Sequence, residues 1–120
     1  MTKPELLAIG ITTMLNLENL ESVTDNDQEL IQSLLKEFIS ITEQDIENLV
    51  KAVSSNRSSE VTSLAHRIKG AAAVVGAEQL TDLSQQLENA GRSAQTDQFA
   101  SLLESLKCSF TNVVEAIRNQ

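Results

Sequence analysis

An all-α fold, an antiparallel four-helix bundle with a short N-terminal helical extension, follows from three features of this 120-residue sequence. Apolar residues recur at three- and four-residue steps through four long segments, the spacing of one helix face. The apolar content is mostly Leu, Ala, Ile and Val, with aromatic residues at 2% and no Trp or Tyr, which counts against a sheet core. The breaks between segments are short, so consecutive helices lie antiparallel.

The elements follow in chain order. Pro4 can open a short helix running to about Leu15, and Asn16 to Leu20 add a turn or two. Residues 1–16 read as an extension or linker, and residues 17–120 as the bundle. Asp25 with Gln28 three positions on reads as a capping box before the first long helix. That helix is expected over 27–54, with Leu30, Ile31, Leu34, Leu35, Phe38, Ile39, Ile46, Leu49, Val50 and Val53 inward. Its polar stretch, Glu43, Gln44, Asp45, Glu47 and Asn48, reads as a solvated face.

Residues 54–58 break that helix and offer caps for the next, expected over 59–75. Val61, Leu64, Ala65, Ile68, Ala71, Ala72 and Val75 form its inner stripe, and Gly76 is a natural C-terminal stop. The third is expected over 78–90, with Leu80, Leu83, Leu87 and Ala90 inward and Gly91 at its end. The fourth is expected over 96–118, lined by Phe99, Leu102, Leu103, Leu106, Phe110, Val113, Val114 and Ile117. Cys108 falls near that inner stripe and reads as a partly buried, inert thiol.

Composition narrows function. Seventeen acidic and nine basic side chains give a net charge of −8, the wrong sign for a nucleic-acid binder. The same balance disfavours contact with anionic lipid. One Cys and one His exclude an internal disulfide and any Cys- or His-rich metal site. The N-terminus lacks the pattern of a signal peptide, and nothing approaches the ~20 apolar residues of a spanning helix. The chain is expected to be cytoplasmic, without membrane contact of its own, and monomeric in isolation.

The single histidine carries the chemical question. At about 100° per residue, His66 lies about 160° from Ile68, the centre of the inner stripe. It therefore faces out, with Thr62, Lys69, Gly70 and Ala73 as neighbours. An idle solvated face carries long charged side chains; this one carries small residues and one cation. Gly70 costs about 1 kcal/mol relative to Ala inside a helix. A helix that accepts this cost beside an exposed imidazole leaves room for something to approach.

An imidazole on a rigid helix offers a nucleophilic nitrogen near neutral pH. It can accept a phosphoryl group, and Lys69, one turn on, can offset the added charge. A carboxylate behind the ring can hold the other nitrogen as N–H. Glu88 lies about 80° from Leu80 on its own wheel, flanking the stripe. The wheel alone leaves open whether Glu88 reaches His66 or is solvated.

The run Ala65-His66-Arg67-Ile68-Lys69-Gly70-Ala71-Ala72, with Gly76, Leu80 and Leu87-Glu88 downstream, resembles the signature of histidine-containing phosphotransfer (HPt) domains. The resemblance spans about residues 17–118. Such domains are four-helix bundles, found at the C-terminus of hybrid sensor histidine kinases among other places. By resemblance His66 is the phosphorylated nucleophile, Lys69 neutralises the phosphoryl group, and Glu88 orients the imidazole. Thr62, Gly70 and Ala73 then form the docking face. The implied partners are receiver domains of a hybrid kinase or response regulator, with His66 relaying phosphate between their aspartates. No cofactor is expected on this chain; Mg²⁺ is expected on the receiver. The resemblance also implies the cytoplasmic end of a membrane-bound sensor kinase as a setting.

No Gly-rich phosphate loop is present, so independent ATP-dependent activity is not expected. Two other readings make different predictions. A non-catalytic helical adaptor would keep its partner affinity in His66→Ala. A hydrolase or metal enzyme would show turnover or bound metal, and the side-chain inventory supports neither.

Overall fold

The computed structural model describes residues 15–119. The expected helix through 4–15 falls almost wholly outside them. Five α-helices follow in order: α1 (Glu18–Val23), α2 (Gln28–Ser54), α3 (Ser58–Val74), α4 (Glu78–Arg92) and α5 (Phe99–Arg118). A 3₁₀ turn at Thr96–Gln98 leads into α5. No strand occurs among the described residues. Helices α2 to α5 pack in sequence, and α5 closes back on α2, giving the expected four-helix bundle.

The caps explain where the helices start and stop. The N-cap of α2 is Asp27, whose carboxylate accepts from the Leu30 N–H at 3.2 Å. The expected capping box at Asp25 is corrected. Asp25 and Asn26 take left-handed φ values of 53° and 59° to turn the chain from α1 into α2. The Gln28 amide donates to Asn26 Oδ1 at 2.9 Å rather than reaching Asp25. Nor does a Ser cap α3: Arg57 stands at the N-cap without a side-chain cap bond.

The core runs the length of the bundle. Leu35, Leu49, Val61, Ile68, Leu80, Leu87 and Leu106 are fully buried, and each contributes roughly 1.5–3 kcal/mol of transfer free energy. Alanines 65, 72, 77 and 90 are buried between them, which lets α3 and α4 approach closely. Phe38 and Phe110 meet with ring centroids 6.2 Å apart, in the tilted geometry that aromatic pairs favour. Leu20 of α1 is buried too, so this short helix is packed onto the bundle.

Two glycines shape this packing. Gly76 ends α3 with φ +71°, and a Cβ there would lie 1.8 Å from the Asn16 carbonyl oxygen. The incoming chain crosses at that point, held by the Asn16 N–H to the Gly76 carbonyl at 2.9 Å. Gly91 does not end α4 as expected. It is buried inside the helix, where a Cβ would sit 2.4 Å from Thr62 Oγ1 and 3.1 Å from the Ser58 carbonyl. Ala94 instead takes the left-handed turn, at φ 52°.

The wheel also needs correction at its edges. Leu30 and Val50, placed inward from the sequence, are exposed. Asp45, placed on the solvated face, is buried because Arg67 of α3 reaches it. Cys108 is exposed rather than partly buried, and Ser109 takes the inward position in that turn.

Candidate functional site

Helix α3 points its apolar stripe, Val61, Ala65, Ile68 and Ala72, into the core. That register forces His66 outward, and its side chain is 64% exposed. Lys69 follows one turn later and is mostly covered. Gly70 and Ala73 are exposed beside them. A Cβ added at Gly70 would meet nothing within 4 Å among the described residues, so no packing among them demands a glycine there. Thr62 is half-buried on the α4 side, its hydroxyl donating to the Ser58 carbonyl at 2.9 Å.

Beneath the ring lies Glu88 of α4, fully buried. His66 Nδ1 is 3.3 Å from each of its carboxylate oxygens. Lys69 Nζ lies 2.8 Å from Oε1, and Arg92 Nη2 lies 2.6 Å from Oε2. An isolated buried carboxylate would be driven toward its neutral form. Here the Lys69 hydrogen bond holds the Glu88 carboxyl below its ordinary value, overcoming the opposing push of burial. The His66 bond and the nearby Arg92 charge act in the same direction.

An ionised carboxylate only accepts, so Nδ1 carries the proton between them. In the neutral ring Nε2 then keeps its lone pair. Lys69 also donates to Gln85 Oε1 at 3.0 Å, and the Gln85 amide is anchored on Asn89 Oδ1 at 2.9 Å. On the other flank of α3, Arg67 Nε lies 3.2 Å from Asp45 Oδ2 on α2. Adjacent residues of α3 are thus tied to α4 and to α2, which fixes the helix where it presents the imidazole.

The structure therefore brings His66, Lys69 and Glu88 together and leaves Gly70 and Ala73 open beside them. Sequence reasoning missed Arg92, Gln85 and the Arg67–Asp45 pair. Glu88 and Arg92 have the i,i+4 acid–base spacing that marks a helical ion pair, so that signal was available. Asp45 and Arg67 lie 22 positions apart, and no local pattern joins them.

An open groove of about 630 Å³ runs beside Lys69, Ala73 and Gln85, but His66 does not line it. The imidazole stands proud of the surface, where a large partner can reach it. Among the described residues, no cluster of three or more His, Cys, Asp or Glu could hold a metal ion. No helix among them is long and apolar enough to cross a membrane.

The Hpt domain family model matches residues 33–120. The chain belongs to the Hpt domain family. As an Hpt domain it is a phosphotransfer module, an intermediate of phosphorelay. Curated relatives include the virulence sensor protein BvgS of Bordetella bronchiseptica, 35% identical over 71 residues. That match covers 59% of this chain and 6% of BvgS. BvgS of Bordetella pertussis is 34% identical over 76 residues, covering 63% of this chain and again 6% of the relative. This Hpt domain thus spans a small fraction of the length of the curated relatives it matches.

Solved structures share the fold. Histidine-containing phosphotransfer protein B from Pseudomonas aeruginosa PAO1 superposes with a TM-score of 0.82 at 22% identity. The superposition covers 88% of this chain and 92% of that one. The HPT domain of a sensor hybrid histidine kinase from Shewanella gives 0.73 at 20% identity, covering 89% and 92%.

Proposed function

We propose that His66 is the phosphoryl acceptor of this Hpt domain, taking phosphate from a receiver-domain aspartate and returning it to another. The carrying observation is the exposed imidazole whose Nδ1 faces the buried Glu88 carboxylate. With Nδ1 protonated, Nε2 attacks the phosphorus in line. The N–P bond forms as the P–O bond to the aspartate breaks, and the carboxylate leaves without needing a proton. The ring gains positive charge in this step, and Glu88 stabilises it through the Nδ1 proton.

Lys69 keeps one bond to Glu88 and one to Gln85, and an ammonium has three donors. The third is free to neutralise the phosphoryl oxygens. Gly70 and Ala73, with Thr62 at the α4 border, form the face on which the receiver settles. This face supplies a nucleophile and a counter-charge but no acidic metal site. In this reading the Mg²⁺ and the reacting aspartate belong to the receiver. ATP-dependent activity of the chain alone is not part of this reading, and its setting is the cytoplasm. Residues 1–16 act as an extension or linker to the bundle of 17–120.

The test is transfer from a panel of labelled phospho-receivers to the intact chain. Label that reaches the chain, resists alkali and is lost in acid supports a phosphohistidine. Label on no chain, from receivers competent toward another Hpt domain, overturns the reading.

A further inference from the structure

Glu88 presents two oxygens to three cationic or donor side chains, and they are not held equally. Lys69 approaches Oε1 at 2.8 Å and Arg92 approaches Oε2 at 2.6 Å. His66 Nδ1 sits at 3.3 Å from both. The two short ion pairs hold the carboxylate from both sides, and the imidazole meets it within hydrogen-bond distance. The last torsion of a Glu side chain is broad and roughly two-fold, so one anchored oxygen does not fix the carboxylate plane. Lys69 anchors one oxygen from α3, and Arg92 anchors the other from α4.

We infer that Arg92 is a positioning residue for phosphoryl acceptance: by pinning Glu88 Oε2 it keeps the carboxylate under His66 and the ring in the Nδ1–H form. This rests on His66 being the acceptor. Arg92 acts through Glu88, whose Oε2 its guanidinium meets. An ordinary surface pair of this spacing joins two solvated groups. Here the acidic partner is 1% exposed, so the guanidinium meets a carboxylate that water cannot serve. The arginine itself is 62% exposed in the last turn of α4, so replacing it leaves the core intact.

The reaction it supports balances without an added proton donor. With phosphoramidate as a small donor, in the form whose nitrogen is already protonated, Nε2 forms a bond to phosphorus, the P–N bond breaks with its electron pair going to nitrogen, and neutral ammonia leaves. The Nδ1 proton stays shared with Glu88. A ring flipped to the Nε2–H form has no lone pair at the attacking position and cannot take part.

The chain holds one histidine, so ring ¹⁵N chemical shifts report His66 alone. The experiment compares wild type, Arg92→Ala and Arg92→Lys at neutral pH, with circular dichroism confirming the fold of each. Wild type and Arg92→Lys are expected to hold the Nδ1–H tautomer, and Arg92→Ala to show a mixture. Acceptance from phosphoramidate should fall about two- to tenfold in Arg92→Ala, since the rate scales with the competent fraction of the ring. Arg92→Lys should restore it. An unchanged tautomer in Arg92→Ala overturns the inference, as does an unchanged rate with an altered tautomer. Wild type that accepts phosphate from no donor overturns the acceptor reading, and with it the inference.

Discussion

The Glu88 carboxylate lies beneath the His66 ring, with each oxygen 3.3 Å from Nδ1, while the rest of the ring faces solvent. A buried anion on α4 thereby sets the hydrogen-bonding state of an exposed nucleophile on α3. Replacing Glu88 by Ala should leave the ring free to rotate and slow phosphoryl acceptance by about 10-fold or more, the loss of one positioned partner. Acceptance kinetics from a small phosphodonor check this. A rate equal to wild type would remove Glu88 from the mechanism.

The same carboxylate links stability to pH. Its folded-state value is depressed, with the Lys69 hydrogen bond the largest cause. Its contribution is therefore complete above the unfolded carboxylate value and disappears as pH falls through the folded value. Glu88→Gln should cost about 1–3 kcal/mol near neutrality, by leaving Lys69 and Arg92 without their anion. The difference from wild type should shrink in acid. Urea denaturation of both proteins from neutral to acidic pH measures it. A gap that stays constant into acid contradicts the assignment.

Gly70 and Gly91 should respond in opposite ways to alanine. Gly70 has open space at its Cβ position, so Gly70→Ala should stabilise α3 by up to about 1 kcal/mol. It should also slow transfer from a receiver while leaving acceptance from a small donor unchanged. Gly91→Ala drives a methyl into Thr62 and should destabilise by about 1–3 kcal/mol. Thermal melts and paired transfer assays separate the two. A destabilised Gly70→Ala would mean that the glycine serves the fold rather than a partner.

Lys69 should matter more once phosphate is in place than before. Lys69→Met keeps the stem but removes the ammonium, so the phosphoryl group loses its counter-charge. Transfer from a receiver should fall about 10-fold, and Lys69→Arg should recover part of it. A phosphotransfer time course on the three proteins decides this.

Much of the architecture was legible because helix periodicity depends on residue type alone. The stripe of α3 put His66 outside and Ile68 inside, and the structure agrees. Gly76 was readable as a stop because a left-handed residue after a helix favours glycine. Gly91 misleads for the same reason: a glycine near a helix end signals a cap, whereas here it admits Thr62 of the neighbouring helix. That contact is tertiary and leaves no mark in the local pattern. Asp45 was misplaced because an acidic residue joins the core only when a partner from another helix reaches it. The helix wheel does not decide the place of Glu88, because its burial depends on Lys69 and Arg92 meeting it.

The most direct test of His66 as acceptor compares phosphoryl transfer from phosphorylated receivers to wild type and to His66→Gln. The side chain is exposed and a glutamine amide can still donate toward Glu88, so His66→Gln should change stability by only about 1 kcal/mol. Wild type should take up label that is stable to alkali and labile to acid, and His66→Gln should take up none. Equal labelling of both proteins would contradict the account by placing the phosphate on a residue other than His66.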